Sequence, residues 1–258
     1  MKMMTSDGIQ LAYTDQGDGP VILLLAGYSG IKEEWQYQVT FLLQQGYRVI
    51  TLDWRSHGAS TRTAKHLRIM RLAADVQELL LVCQVTTATL VGHSMGASVI
   101  WAYLTIFGEQ RVSRIVTIDE SPKPLNDTYW QAGLNGLTWE NFWVRLPYIL
   151  RQPMTVAGIS EPLRQELKTT RAVHPFDEAL CGPLLGDHLQ QDWRETCQSL
   201  TIPQLMIVGA ASTMWQGDYT IICENNNNNV VRIQNAGHMP HMEQPDAVNA
   251  YLHTFISA

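Results

Sequence analysis

The feature that most constrains this chain is a serine between two glycines, Gly-His-Ser-Met-Gly at positions 92–96, directly after the apolar residues 89–91. A G-x-S-x-G pattern between a strand and a helix is typical of a sharp turn that holds the serine hydroxyl above the edge of a sheet. Glycine is needed on both sides, because a side chain there would clash with the crowded backbone of the turn. The pattern predicts a strand that ends at a candidate nucleophile, Ser94, and a helix that follows it.

Short apolar runs alternate with helical patterns on both sides of this turn. The runs typical of buried strands are residues 21–25, 48–52, 88–91, 112–118, 204–208 and 230–233. This alternation favours an α/β fold, a mostly parallel, doubly wound sheet flanked by helices. The middle of the chain is rich in aromatic residues and lacks clear strands. We therefore divide the chain into a first core part (1–121), a helical cap insertion (122–200) and a second core part (201–258), with the cap over the carboxyl ends of the strands.

The composition favours a compact globular protein that binds a small molecule. Hydrophobic residues make up 45% of the 258 positions and charged residues 16%, and the net charge of −6 argues against nucleic acid or an anionic membrane as the main partner. There is no apolar N-terminal signal, and four scattered cysteines fit reduced thiols, so a cytoplasmic location is expected. No metal-ligand spacing occurs, and neither a metal nor another cofactor is predicted. Five consecutive asparagines, residues 225–229, are interpreted as a polar loop.

Ser94 needs a base and an oxyanion site before it can act as a nucleophile. The candidate base is His238, which lies in a glycine-containing loop after the last predicted strand. The backbone amides of Met95 and Tyr28, the latter in the loop after residues 21–25, are predicted to bind the oxyanion. The residues expected to line the substrate pocket are Gly27, His93, Trp54, Trp130 and Trp143. The aromatic residues indicate an apolar pocket with little charge.

The chain resembles the α/β-hydrolase superfamily over nearly its whole length. The segments that carry the resemblance are residues 25–28, 53–60, 92–96, 202–209 and 237–240. Their order and spacing together are specific for the α/β-hydrolase fold. The resemblance implies a helical cap over a catalytic triad of serine, histidine and an acid.

Two positions depart from the family pattern. The oxyanion loop begins with Ala26 where relatives usually have histidine, and the common acid position holds Ser212, which cannot carry the negative charge. A known variation in the superfamily moves the acid to the end of the preceding strand, which is Asp119 in this chain. The resemblance therefore implies Asp119 as the acid, with Asp218 second and Glu120 third.

The leading hypothesis is a serine hydrolase that cleaves a small or medium apolar carboxylic ester, as a monomer or homodimer. An alternative within the same superfamily is a cofactor-free dioxygenase that acts on an N-heteroaromatic ring. Such enzymes resemble this chain in the Trp-Arg-x-His loop at residues 54–57 and in an acid at the position of Asp119. They tend to carry histidine at the position of Met95, and methionine there favours the hydrolase. A third possibility is a non-catalytic module that binds a small molecule.

Overall fold

The computed structural model describes residues 1–215, 219 and 228–258, and within these residues eight strands form one sheet. The strands are β1 (Lys2–Met4), β2 (Gln10–Gln16), β3 (Val21–Leu25), β4 (Arg48–Leu52), β5 (Ala88–His93), β6 (Val112–Ile118), β7 (Gln204–Gly209) and β8 (Asn228–Ile233). Their order across the sheet is β1-β2-β4-β3-β5-β6-β7-β8. The pairs β1–β2 and β2–β4 are antiparallel, whereas the six strands β3 to β8 run parallel to one another. The predicted mostly parallel, doubly wound sheet is confirmed.

Helices cover both faces of the sheet. They are α1 (Gln36–Gln44), α2 (Ile69–Val82), α3 (Met95–Phe107), α4 (Phe142–Arg145), α5 (Glu161–Val173), α6 (Glu178–His188), α7 (Arg194–Ser199), α8 (Pro240–Glu243) and α9 (Pro245–Ser257). Short 3₁₀ helices span Lys32–Trp35 and Leu146–Arg151. The 3₁₀ helix at Lys32–Trp35 leads directly into α1.

The sheet separates two hydrophobic layers. On one face α2 and α3 pack in the larger cluster, which includes Leu23, Val76 and Ile100. On the other face α1 and α9 contribute Leu42 and Leu252 to the second cluster. Alternate residues of the central strands enter opposite layers, because successive side chains of a strand point to opposite faces. Burial on both faces explains why these strands appear in the sequence as uninterrupted apolar runs.

The chain leaves the sheet between β6 and β7 and forms α4 to α7 there. This segment contributes much of the cavity wall above Ser94 and His238. Its limits as a separate cap, residues 122–200, stay a prediction.

Part of the asparagine run, residues 225–229, is in a strand and not in the predicted loop. Asn228 and Asn229 begin β8 and pair with β7, while residues 225–227 lie outside the described residues. Cys83, Cys181 and Cys197 are buried cysteines that are not in disulfide bonds among the described residues. In the described part of the chain, no helix combines the length and hydrophobicity needed to cross a membrane.

Candidate active site

Ser94 occupies the turn between β5 and α3 with a backbone conformation that non-glycine residues rarely adopt. Its φ is 50° and its ψ is −123°, and its amide donates a hydrogen bond to the Ile118 carbonyl (2.9 Å). The turn is tight because Gly92 and Gly96 face each other. A Cβ on Gly92 would lie 2.5 Å from the Gly96 carbonyl carbon, and one on Gly96 would lie 2.3 Å from the Leu25 oxygen. The two glycines therefore allow the strained turn that presents Ser94.

We expect Gly96→Ala to destabilise the protein by about 3 kcal/mol, since the added methyl group meets rigid backbone and cannot be accommodated by a side-chain rotation. Urea unfolding measures the change in the free energy of unfolding. Gly182→Ala is the matched control, because no atom lies within 4 Å of the Cβ it would add within α6. That control is expected to raise the free energy by about 0.5–1 kcal/mol. Equal unfolding midpoints for the two variants would contradict the tight turn.

Asp119 and His238 are joined by a hydrogen bond of 2.7 Å between Oδ2 and Nδ1. Asp119 follows β6 with φ of 47°, and its side chain is fully buried. Its Oδ1 accepts the Gly209 amide at 2.9 Å, and its Oδ2 also accepts the Ser212 hydroxyl at 2.7 Å. Ser212, at the family's usual acid position, thus donates to the displaced carboxylate. Asp218, the second candidate for the acid, lies outside the described residues.

Several contacts fix the loop that carries His238. The His238 amide donates to the Met154 carbonyl at 2.8 Å, and His93 Nε2 lies 2.8 Å from the His238 carbonyl oxygen. Glu243 accepts the Gly237 amide at 2.7 Å, and its second oxygen accepts amides at residues 156 and 157. These bonds tie the histidine loop to the segment above the sheet.

Ser94 and His238 line one cavity of about 290 Å³. No hydrogen bond between the Ser94 hydroxyl and the His238 ring is present in the described part of the chain. The cavity brings both side chains to the same space, and their contact has to tighten when substrate binds.

The amides of Tyr28 and Met95 are available to a ligand. Among the described residues neither amide donates a hydrogen bond, and Met95 is the first residue of α3, where no intrahelical acceptor exists. The next amide along, that of Ser29, is already used, because it donates to His57 Nε2 at 3.2 Å. His57 Nδ1 in turn lies 3.0 Å from the Arg55 carbonyl oxygen. His57 therefore holds the loop that presents the Tyr28 amide.

The cavity is lined by Gly27 and His93 but not by the three predicted tryptophans. Trp54 is fully buried and donates its indole N–H to the Ala26 carbonyl (2.8 Å), so it supports the loop from below. Trp130 donates to the Lys123 carbonyl at 2.8 Å. Trp143 is 68% exposed and lines a separate cavity of about 590 Å³. The three tryptophans therefore lie outside the lining of the cavity at Ser94, and a role for them in substrate binding stays a prediction.

The cavity also contains polar groups that sequence reasoning missed. Arg171 on α5 pairs with buried Glu34 at 2.7 Å, and both residues line the cavity. Burial raises the pKa of Glu34 to about 7, although Arg171 opposes the shift. His188, at the end of α6, lines the cavity as well. The cavity is therefore more polar than the predicted apolar pocket. Among described residues, no group of three or more His, Cys, Asp or Glu residues is placed to hold a metal ion.

Three buried histidines make the protein sensitive to acid. Burial lowers the pKa of His57 to about 4 and that of His241 to about 3, and it also lowers the pKa of His93. The unfolded chain takes up these protons near pH 6.5, whereas the folded chain does not. The stability that neutral burial contributes is present above pH 6.5 and is lost as pH falls towards 4, at a slope that approaches about 1.4 kcal/mol per histidine per pH unit.

We expect the free energy of unfolding to drop by about 3 kcal/mol for all three histidines between pH 6.5 and 5.5, because each unfolded histidine is only half protonated at the upper pH. Urea unfolding at the two pH values measures this drop. His241→Met is the informative variant, because neither ring nitrogen of His241 has a hydrogen-bond partner among described residues. In His241→Met the drop in the free energy of unfolding between the two pH values should be smaller by about a third. A free energy that is constant over this range would contradict neutral burial of the three rings.

Comparisons with known proteins agree with this fold. A profile described as "Alpha/beta hydrolase family" matches residues 22–251. The 3-oxoadipate enol-lactonase 2 of Acinetobacter baylyi is 28% identical over 261 residues, which cover 95% of this chain and 92% of the relative. A bifunctional esterase/perhydrolase of Acinetobacter calcoaceticus is 31% identical over 140 residues, covering 54% of this chain and only half (50%) of that relative. An esterase structure from Exiguobacterium antarcticum shares the fold, with a TM-score of 0.87, 20% identity and coverage of 100% and 99%.

Proposed function

Since this chain belongs to the alpha/beta hydrolase family, we propose that it is a serine hydrolase that cleaves a carboxylic ester of small or medium size through an acyl-enzyme intermediate. The observation that carries the proposal is the 2.7 Å hydrogen bond between Asp119 and His238 beside a cavity that Ser94 also lines. A buried carboxylate on Nδ1 fixes the imidazole so that Nε2 is left to accept a proton. The free amides of Tyr28 and Met95 complete the arrangement that acyl transfer needs.

In the proposed reaction, Ser94 Oγ attacks the ester carbonyl while His238 Nε2 takes its proton. The negative charge that forms on the carbonyl oxygen is stabilised by the amides of Tyr28 and Met95. His238 then protonates the departing alcohol, and the acyl group remains on Ser94. Water attacks the acyl-enzyme with His238 as base, and the carboxylic acid leaves. Asp119 stabilises the imidazolium in both halves.

Lactones belong to the same proposal, because a lactone is a cyclic ester and opens by the same attack. The enol-lactonase of Acinetobacter baylyi, which aligns over 95% of this chain, supports their inclusion. A cavity of about 290 Å³ is at the lower end of the range for small-molecule sites. We therefore expect short acyl chains and five- or six-membered lactones to react faster than long-chain esters.

The proposal is tested by intact-mass spectrometry after treatment with a fluorophosphonate probe, together with a series of p-nitrophenyl esters from C2 to C12 and small lactones. One adduct on a peptide containing Ser94, with turnover that falls as the acyl chain lengthens, is the expected result. Neither adduct nor turnover would refute the proposal. Oxygen uptake with an N-heteroaromatic substrate would then identify the dioxygenase alternative, and tight binding without turnover would identify a binding module.

A further inference from the structure

A second cavity lies beside the catalytic cavity, which Ser94 lines, and the proposed reaction does not use it. Its volume is about 590 Å³, within the range of small-molecule sites. The lining includes exposed residues, among them Arg68 and Trp143, and buried ones, namely Tyr28, Leu185 and Gly186. The second cavity therefore extends from the surface to a buried inner end.

Two residues line both cavities, Tyr28 and Leu185. Both are packed side chains, at 8% and 7% exposure. The wall between the cavities is therefore one layer of side chains thick at this point. The Tyr28 ring is held in edge contacts by His57 and Phe176, with ring centres 6.0 and 5.2 Å away. Leu185, on α6, is the side chain of this wall that can be shortened without altering the loop of the proposed oxyanion amide.

The inner end of the second cavity is open because α6 carries glycine there. Gly186 is buried, yet a Cβ added to it would meet only one atom within 4 Å among the described residues, Cδ2 of Leu146 at 3.7 Å. A Cβ on Gly182, one turn earlier, would meet none. Protein interiors are normally close-packed, so a buried glycine with this much free space beside it marks room for another group.

The second cavity suits a hydrocarbon chain better than a charged group. Two of its charged residues compensate each other, since Arg68 Nε lies 3.5 Å from Asp187 Oδ1. Asp187 Oδ2 also accepts the Ile69 amide at 2.8 Å. Glu178 is exposed, at the outer end. Apolar side chains supply much of the remaining lining, namely Leu146, Pro147, Pro183 and Leu185.

We propose that Leu185 is a specificity-determining residue, whose side chain closes the catalytic cavity towards the second cavity and so limits the length of the alkyl chain of the ester. This inference rests on the proposed ester hydrolysis and names the residue that restricts it to short substrates. Shortening Leu185 joins the two cavities, and the chain of a longer ester then extends past Tyr28 towards Gly186. Each methylene buried there should raise kcat/KM about fourfold, the equivalent of about 0.8 kcal/mol.

The test is Leu185→Ala, and the readout is the ratio of kcat/KM for a C8 chain to that for a C4 chain. One series varies the acyl chain, with p-nitrophenyl butanoate and octanoate, and the other varies the alcohol, with butyl and octyl acetate. The wild-type ratio should be below one in both series. Leu185→Ala should raise it at least about tenfold in one of them, since two or more methylenes gain a buried site. The series that responds identifies the side of the ester bond that faces α6.

Filling the second cavity should reverse this effect. In the double variant Leu185→Ala/Gly186→Leu, the leucine occupies the inner end into which the longer chain would extend, and the ratio should return to within about twofold of the wild-type value. Gly186→Leu alone should leave the wild-type ratio unchanged, because a short ester does not reach the second cavity. This reversal separates a joined cavity from a catalytic cavity that is merely wider.

Two further variants control for stability. Leu184→Ala is the matched control, because Leu184 is fully buried on the same helix and is absent from the described lining of both cavities. It should lose a similar amount of core packing and keep the wild-type ratio. A buried leucine is costly to truncate, so Leu185→Val serves if Leu185→Ala does not fold. It should raise the ratio by less than the alanine variant does.

A ratio that stays at the wild-type value in folded Leu185→Ala and Leu185→Val, in both series, overturns the inference. So does a rise that persists in the double variant, an equal rise in Leu184→Ala, or a wild-type protein that already prefers C8 chains. A wild-type protein that hydrolyses no ester of either series, and no other ester or lactone, refutes the proposed function and this inference with it. That result is distinct from hydrolysis whose chain-length preference does not depend on Leu185.

Discussion

Replacing Ser94 by alanine should lower kcat for the best ester about a millionfold, to the residual rate that binding and the oxyanion amides supply. The loss is this large because no acyl-enzyme can form without the hydroxyl. The variant should still fold, since alanine fits the space of serine and the turn depends on Gly92 and Gly96. Steady-state kinetics and intact mass after fluorophosphonate treatment measure the two consequences, lost turnover and lost adduct.

Ser98 provides the matched control for this variant. It is a buried serine on α3, one helical turn after Ser94. Its hydroxyl accepts the indole N–H of Trp193 at 2.7 Å. Ser98→Ala should cost about 1 kcal/mol of stability through the lost hydrogen bond and retain both labelling and turnover. If Ser94→Ala keeps more than about a thousandth of the activity, or if the adduct persists in it, another residue is the nucleophile.

The sheet could be predicted because its determinants are local in the sequence. The boundaries of β3, β4, α3 and β6 follow from apolar runs and from the turn residues beside them. The elbow at Ser94 is local too, since five consecutive residues specify it. β1 was missed, because its three residues, Lys2–Met4, are too few to produce a periodic pattern.

The polar lining of the cavity could not be predicted because it depends on long-range contacts. Arg171 and Glu34 are separated by 137 positions, and no periodicity connects them. His188 had no pattern in sequence, yet the end of α6 brings it within 3.6 Å of Glu120. The positions of the tryptophans relative to this cavity could not be predicted for the same reason. An aromatic residue fits a packed layer as well as a pocket, and Trp54 is in a packed layer. How the helices between β6 and β7 pack decides these positions.

The acid was a more difficult prediction, since the choice between Asp119 and other carboxylates depended on family resemblance. The contact with Ser212 gives a physical reason for the displaced position. A serine at the usual acid site removes one negative charge and adds a donor, and Asp119 accepts that donor at 2.7 Å. Together with the Gly209 amide, the hydroxyl directs the Asp119 carboxylate towards His238.

Asp119→Asn is therefore expected to lower kcat on the order of 10⁴-fold while the protein stays folded. An asparagine amide can still accept the Gly209 N–H through its oxygen, and its NH₂ group then points at His238 Nδ1. Nδ1 becomes the acceptor, the ring proton moves to Nε2, and no lone pair is left to take the Ser94 proton. Loss of the carboxylate also removes the charge that stabilises the imidazolium. Steady-state kinetics with the best ester, beside urea unfolding, separates this loss from misfolding.

Ser212→Ala is the graded control for the acid. It removes one of the bonds that orient Asp119 and leaves the charge in place, so kcat should fall by only about 10–150-fold, the equivalent of one hydrogen bond to a charged group. Asp218→Asn should leave kcat within about twofold. A full-sized loss in Asp218→Asn, together with a small one in Asp119→Asn, would show that Asp218 completes the triad. The Asp119–His238 bond would then be structural, and the displaced-acid assignment would be wrong.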